Sequence, residues 1–179
     1  LFDGLRTDFS LARLKHYTGA PAEDVQQFIL FTNYHRYVDE FVRWGIEQLQ
    51  QPDSPYTGLS CSGGLTITAN TVNPELAVAE STWRKHQMPA YHLMAPGGAG
   101  VTLVNIGVGP SNAKNITDHL AVLRPHCWLM IGHCGGLRQA QEIGDYVLAH
   151  AYLRRDHILD ALVPPPRGHA AMPLLPSPE

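Results

Sequence analysis

The sequence predicts an α/β fold, and two observations carry that prediction. Two apolar runs with β-strand character, 101–106 and 127–131, are joined by a helical stretch over about 111–123. Each run ends in a glycine-rich corner, 107–111 after the first run and 132–136 after the second. This is the pattern of a β-α-β unit, and open α/β sheets bind ligands at the carboxyl ends of their strands.

Both corners have the chemistry of a ligand-binding loop. Glycine permits positive φ and lets main-chain N–H groups approach a ligand closely. In the first corner Ser111 is a candidate N-cap and Asn112 a neighbouring donor, so free N–H groups and the positive end of the helix dipole face the loop. Such a corner suits a phosphate, a carboxylate or sugar hydroxyls. A strand-to-helix turn that binds nothing is the alternative.

The elements before and after this unit follow from local signals. Residues 8–10 can cap a short helix that ends near Gly19, and Thr32 and Asn33 can cap a longer one. The face of that longer helix that we expect in the core consists of Val38, Phe41, Val42, Ile46 and Leu49. The predicted helices are 11–16, 34–50 and 74–85, and the predicted strands and hairpins are 28–31, 56–69, 88–94 paired with 101–106, and 144–149.

His35 and Arg36 fall in the first turn of the predicted helix 34–50. Positive side chains there oppose the helix dipole unless an anion lies nearby. Arg36 can hold phosphate oxygens through two parallel hydrogen bonds, and the free N–H groups of the first turn can add to them. A salt bridge from Arg36 to Asp39 or Glu40 is the alternative.

Composition bounds the class of protein. The 179 residues are 44% hydrophobic and 16% charged with a net charge of −3, which predicts a soluble globular protein without the basic surface of a nucleic-acid binder. No apolar run approaches the roughly 20 residues that cross a membrane. Three cysteines, an odd number, favour a reducing cytoplasm over a disulfide framework. Without a signal-peptide pattern or an initiator Met, we expect the numbering to begin inside a longer product.

Three further features are read as structural. The histidines His119, His126 and His133 recur every seven residues beside Cys127 and Cys134, a spacing foreign to zinc sites, so we expect no metal. A nucleophilic Cys134 beside His133 is a minor alternative to close packing in the corner. We expect Trp83 in the core and an irregular or disordered proline-rich tail over 164–179.

Several long segments of this chain resemble the nucleoside phosphorylase/nucleosidase superfamily and, within it, the AMP nucleosidase family. They are LFDGLRTDFSLARL, FTNYHRYVDEFVRWG, VNIGVGPSNAK, DHLAVLRPHCWLMIGHCGGLR and IGDYVLAHAYLR, and the resemblance runs from residue 1 to about 165. It implies a three-layer, mixed-sheet nucleoside phosphorylase-like fold that is incomplete at its C-terminus. It divides the chain into a smaller N-terminal α+β segment, 1–86, the first part of the catalytic domain, 87–163, and the tail, 164–179.

The resemblance also implies an activity and partners. These are hydrolysis of AMP to adenine and ribose 5-phosphate, no cofactor, ATP and phosphate as effectors, and a homo-oligomer, a hexamer in the family. The residues that it implies for the 5′-phosphate are Asn33, Tyr34, His35 and Arg36. The residues that it implies for the ribose and the attacked face are Gly107, Gly109, Ser111, Asn112, Gly132, His133, Gly135 and Gly136.

Two departures from the superfamily pattern bear on mechanism. Phosphorylases commonly carry Arg-x-Gly-(Thr/Ser) at the second corner, where the Arg and the hydroxyl hold the attacking phosphate, but this chain has Met130 and His133 there. That favours attack by water, and so a hydrolase over a phosphate-dependent phosphorylase. The family's ribose-binding Met-Glu and its catalytic Ser-Asp are absent after Val147, so the catalytic residue is unknown. We expect the front part of an enzyme, weakly active alone, or a non-catalytic nucleotide-binding fragment.

Overall fold

The computed structural model describes residues 2–149 of the chain. The chain divides into two compact units, Leu1–Gly132 and His133–Glu179, and every helix and strand of the described part lies in the first. Its helices are α1 (Gly4–Thr18), α2 (His35–Leu49), α3 (Pro74–Glu80) and α4 (Pro110–Leu120), with single 3₁₀ turns at Ala22–Asp24, Thr82–Lys85, Pro96–Gly98 and Ala121–Leu123. Its strands are β1 (Phe28–Thr32), β2 (Gly58–Cys61), β3 (Leu65–Ile67), β4 (Ala90–Met94), β5 (Val101–Asn105) and β6 (Cys127–Met130).

The six strands form one mixed sheet in the order β3-β2-β4-β5-β1-β6. β1 lies between β5 and β6 and is parallel to both, while β4 pairs antiparallel with β5 and with β2. The predicted hairpins are therefore confirmed as β2–β3 and β4–β5. The β-α-β unit is confirmed as β5–α4–β6, with β1 inserted between its two strands.

Helices cover both faces of the sheet, which gives the three layers. On one face α2 and α3 pack over a core that includes Leu59, Leu93 and Leu103. All five residues of the predicted α2 core face are buried there, because their spacing puts them on one side of the helix. On the other face α1 and α4 pack over Ile29, Phe31, Val104 and Ile106, and α4 contributes Ile116 to the same core.

A buried polar row crosses the second face of the sheet. Ser60, His92 and Thr102 are adjacent in register on β2, β4 and β5, and none is more than 2% exposed. The His92 Nδ1 atom lies 2.9 Å from Thr102 Oγ1, which also accepts a hydrogen bond from Gln26 N. Ser60 donates to a carboxylate oxygen of Asp24 at 2.6 Å. These side chains tie the segment before β1 to the centre of the sheet.

The capping residues predicted for three helices are wrong, although α2 and α4 begin within one residue of their predicted starts. α1 begins at Gly4, capped by Asp3, whose carboxylate accepts from Arg6 N at 2.7 Å, instead of near residues 8–10. α2 has Tyr34 at its N-cap position, and the Thr32 hydroxyl accepts a hydrogen bond from the N–H of Tyr34 instead of from an N–H inside the helix. α4 begins at Pro110 after Gly109, so Ser111 lies inside its first turn. Proline occupies the first helical position readily because that position needs no N–H donor.

The strand predicted over 144–149 is also wrong. Residues 145–149 pair with no strand, and Tyr146, Val147 and Leu148 are exposed. An alternating apolar run becomes a strand only where a neighbouring strand supplies hydrogen bonds.

At the outer edge of the sheet, β6 leaves Trp128, Leu129 and Met130 exposed. The tail 164–179 lies outside the described residues, and the division of the chain at residue 86 stays a prediction.

Candidate functional site at the carboxyl edge of the sheet

Three parallel strands end at the same edge of the sheet. Thr32 of β1 pairs in register with Asn105 of β5, and Phe31 pairs with Met130 of β6. The first glycine corner follows β5 and Gly132 follows β6, so the two lie on either side of the end of β1 at one edge of the sheet. The N-termini of α2 and α4 start there too, because each helix directly follows one of these strands. This is the arrangement in which open α/β sheets bind ligands.

The first corner is organised by Asn105, which the sequence analysis missed. Its side-chain oxygen accepts from Gly107 N at 3.1 Å, and its amide nitrogen lies 3.4 Å from His35 Nδ1. Asn112 closes the corner from the helix by donating to Ile106 O at 3.0 Å. No side chain caps α4, and Ser111 is exposed, so the first N–H groups of the helix remain open to a ligand. An asparagine inside the otherwise mainly apolar run 101–106 was the signal available.

The first turn of α2 has no acidic residue and no side-chain cap. Arg36 is exposed there, and within residues 2–149 no ion pair involves it. Glu40, one of the predicted alternative partners, pairs instead with Arg43. The positive charge of Arg36 at this helix end therefore has no counter-ion in the part of the chain that the structure describes.

Asn33 and Gly132 approach each other across the ends of β1 and β6. A Cβ built on Gly132 would lie 3.4 Å from the Tyr34 ring and 3.7 Å from the Asn33 side-chain oxygen. That oxygen is buried and has no hydrogen-bond partner in the described part of the chain. A Cβ at residue 132 would therefore be in van der Waals contact with both neighbours.

A cleft of about 370 Å³ opens beside this edge. Trp83 is wrongly predicted as a core residue: it is half-buried in the cleft wall, its ring 5.7 Å from that of His35, with the Arg84 guanidinium 4.6 Å from its ring centre. The signal for this wall was the run Trp-Arg-Lys-His between a helix and a strand. The lining residues are His35, Trp83, Arg84, His86, Gln87, Pro89, Asn105 and Gly107.

The wall residue His86 sits against the C-terminal end of α1. Gly19 ends α1 with φ +67°, and a Cβ built on it would lie 2.2 Å from the His86 ring. Because Gly19 has no side chain, the His86 ring can pack against the end of α1 and line the cleft.

Gly19→Ala is therefore expected to displace the His86 ring, because a side chain moves more easily than the helix end. The positive φ should also cost about 1 kcal/mol of stability. NMR spectra of the imidazole protons measure the displacement. Gly64→Ala is the matched control, since Gly64 has φ +79° but no atom within 4 Å. Unchanged His86 signals in Gly19→Ala would contradict the expectation.

The rest of the second corner belongs to the other unit. His133, Gly135 and Gly136 are exposed there, and the Gln141 side chain folds back on Gly136 and accepts from the N–H groups of Leu137 and Arg138. Roles for these residues in binding stay predictions.

The histidine series is dispersed. His119 is buried between α1 and α4, and its Nδ1 atom lies 3.3 Å from Ser10 Oγ. Burial lowers the pKa of His119, and the positive charges of Arg6 and Arg13 lower it further. Within the described residues no group of three His, Cys, Asp or Glu side chains could hold a metal ion. A search of the same residues finds no helix with the length and apolar character to cross a membrane.

Comparison with known proteins agrees with this architecture. Residues 66–178, more than half of the chain, match the sequence model of the Phosphorylase superfamily. The chain therefore belongs to the phosphorylase superfamily.

Among individual proteins, it is similar to AMP nucleosidase of Escherichia coli strain K12 and of Escherichia coli O157:H7. It is 70% identical to each over 164 residues, which is 92% of this chain and 34% of the relative. The chain thus spans about a third of the length of these relatives. The crystal structure of AMP nucleosidase from Bacteroides thetaiotaomicron VPI-5482 aligns with a TM-score of 0.65 at 24% identity, over 96% of this chain and 57% of that one. At that identity the likeness supports the fold.

Proposed function

We propose that this chain forms the sugar- and phosphate-binding part of an AMP nucleosidase, which hydrolyses the N-glycosidic bond of AMP to adenine and ribose 5-phosphate. The observation that carries the proposal is the common edge of β1, β5 and β6, with two uncapped helix N-termini beside a cleft of about 370 Å³. Helix N-termini at such an edge suit a phosphorylated sugar. The 70% identity to the Escherichia coli enzyme supports the same substrate.

The proposed binding roles follow the two halves of the site. The start of α2 holds the 5′-phosphate, because its N–H groups and basic first turn favour an anion. The glycine corners line the ribose. The phosphate residues are Asn33, Tyr34, His35 and Arg36, and the ribose residues are Gly107, Gly109, Ser111, Asn112, Gly132, His133, Gly135 and Gly136.

Hydrolysis requires a site that holds the ribose while positive charge grows on it and a water attacks. Met130 ends β6 where phosphorylases of the superfamily carry an arginine, and a thioether cannot hold an attacking phosphate by charge. Water is therefore the proposed nucleophile. The departing adenine needs a proton, yet among residues 2–149 no Asp or Glu lines the cleft. That observation favours a second candidate, a nucleotide-binding chain without turnover.

Purified chain incubated with AMP is expected to release adenine and ribose 5-phosphate without inorganic phosphate, more slowly than the Escherichia coli enzyme run beside it. Chromatography of the products and calorimetric titration with AMP measure turnover and binding. Binding without adenine would favour the second candidate. Dependence of the rate on inorganic phosphate would favour a phosphorylase. The proposal would be overturned if the chain did not bind AMP and released no adenine.

We also propose a homo-oligomer, a hexamer as in the family, with ATP and phosphate as effectors and a cytoplasmic role in purine salvage. The exposed apolar β6 edge supports association, since an uncovered strand edge favours pairing with another chain. Light scattering on the purified chain, with and without ATP, tests this assembly.

A further inference from the structure

The cleft lining carries a guanidinium group and two imidazoles. These groups belong to Arg84, His35 and His86, and among the described residues no Asp or Glu lines the cleft. A concave surface lined by one sign of charge concentrates ligands of the opposite sign. The cleft therefore favours an anion.

Arg84 is oriented for such a ligand by its neighbour. Its guanidinium carbon lies 4.6 Å from the centre of the Trp83 ring, so one face of the guanidinium group is taken up by the indole. Stacking leaves the N–H groups at the edge of the guanidinium plane, where they can donate two parallel hydrogen bonds to phosphate oxygens. No carboxylate pairs with Arg84 among residues 2–149, so these donors have no internal acceptor of that kind.

The cleft is continuous with the proposed nucleotide site. His35 belongs to the first turn of α2 and also lines the cleft, and its ring nitrogen lies 3.4 Å from the Asn105 amide that organises the first glycine corner. Asn105 and Gly107 line the cleft as well. A phosphate at the start of α2 would thus be within a site to which the wall Thr82–Lys85 contributes a cation.

A nucleobase stacked on Trp83 is the competing use of this wall. Arg84 covers one face of that ring, and the His35 ring lies 5.7 Å away at an angle of 50°. The indole is therefore already in contact with cleft side chains, and a base would have to displace one of them. The observations favour phosphate over base at this position.

We propose that Arg84 binds the phosphate group of the nucleotide, adding a second cation to the one that Arg36 supplies on α2. The inference rests on the proposed function for the identity of the nucleotide, but phosphate binding itself requires no turnover. The chemical class that the cleft recognises is a phosphomonoester on a sugar. Trp83 orients the guanidinium group, and His35 and His86 complete the basic lining.

The test compares two variants that remove the same charge from neighbouring positions. Arg84→Gln loses the cleft cation, whereas Lys85→Gln loses a cation from an exposed residue that does not line the cleft. Calorimetric titrations of the full chain with AMP, ribose 5-phosphate and adenosine are made at one ionic strength. Arg84→Gln is expected to weaken AMP and ribose 5-phosphate by about tenfold to a hundredfold, the range for a charge-assisted hydrogen bond, and to leave adenosine unchanged.

Lys85→Gln should change all three affinities by less than about twofold, since Lys85 does not line the cleft and its charge acts on a bound ligand only through screened solvent. Arg84→Lys, which keeps the charge but loses the planar pair of donors, should fall between Arg84→Gln and the wild type, and it stands in if Arg84→Gln does not fold. Equal losses in Arg84→Gln and Lys85→Gln, an equal loss for adenosine, or unchanged AMP affinity would overturn the inference. So would a wild-type chain that binds neither AMP nor ribose 5-phosphate.

Failure of the two proposals can be told apart. If the wild-type chain releases no adenine but shows this affinity pattern, the nucleosidase proposal fails and the role of Arg84 stands. If adenine is released and Arg84→Gln binds AMP as the wild type does, the role of Arg84 fails alone.

Discussion

Gly100→Ala is expected to lower the free energy of unfolding by roughly 3–4 kcal/mol, the largest single-residue effect that we predict for stability. Gly100 is buried at the end of the β4–β5 turn, and a Cβ there would lie 2.0 Å from the Leu93 carbonyl oxygen and 2.8 Å from the Gln26 side-chain oxygen. The first contact is with strand backbone, which cannot move without disturbing the pairing of Leu93 with Val101. The second would break the bonds by which Gln26 accepts from the N–H groups of Ala95 and Gly100, both 3.2 Å.

Urea unfolding followed by circular dichroism measures the loss. Gly97→Ala provides the control in the same turn, because Gly97 has φ +67° but no atom within 4 Å of a built Cβ. It should cost only about 1 kcal/mol, the strain of a left-handed residue. Similar losses in both variants would mean that the turn accommodates a side chain at residue 100.

The second large effect is expected from His92: lowering the pH should decrease the free energy of unfolding. Burial lowers the pKa of His92 from 6.5 to about 3, so the imidazole is neutral in the folded protein at pH values where the unfolded chain is protonated. The unfolded state then binds more protons, and stability falls as pH decreases from about 6.5 towards 3. Each pH unit in that window costs up to about 1.4 kcal/mol.

The geometry explains why His92 cannot relieve this cost by pairing. Thr102 and Ser60 flank it in register, and Nε2 is buried without a partner in the described part of the chain. His92→Leu is expected to flatten the dependence of the unfolding free energy on pH between 6.5 and 4, whatever its stability at pH 7. His92→Gln serves the same purpose if the leucine variant does not fold. Parallel pH profiles for the wild type and both variants would exclude His92 as the source.

Most predictions that depended on residue spacing along the chain succeeded, with the strand over 144–149 as the exception. The α2 core face was correct in all five residues, and both hairpins and the β-α-β unit were found, because periodicity and glycine-rich turns are local properties. The capping predictions failed at α1, α2 and α4. Several residues near each start can cap in principle, but packing of the helix against the sheet fixes where the helix begins: Asp3 caps α1, and α2 and α4 begin without a side-chain cap.

The site was predicted in part. Because parallel strands end at a common edge, the first corner and Gly132 could be assigned to one edge of the sheet from the sequence alone. Asn105, Trp83, Arg84 and His86 could not, since their roles depend on distant partners: Asn105 on His35, and His86 on Gly19. The local signals at these positions mark a polar residue in an apolar run and a basic segment, but they do not show which distant residues each side chain meets.

The amino-acid sequence by itself determined the α/β class, the glycine corners and the family resemblance, because short-range periodicity and motif spacing are written along the chain. Only the tertiary structure decided that β1 inserts between β5 and β6, that the apolar β6 is an exposed edge, and that the wall Thr82–Lys85 faces the start of α2 across one cleft. Strand order and cleft walls join residues far apart in sequence. They are fixed by packing across the sheet, which no stretch of sequence encodes alone.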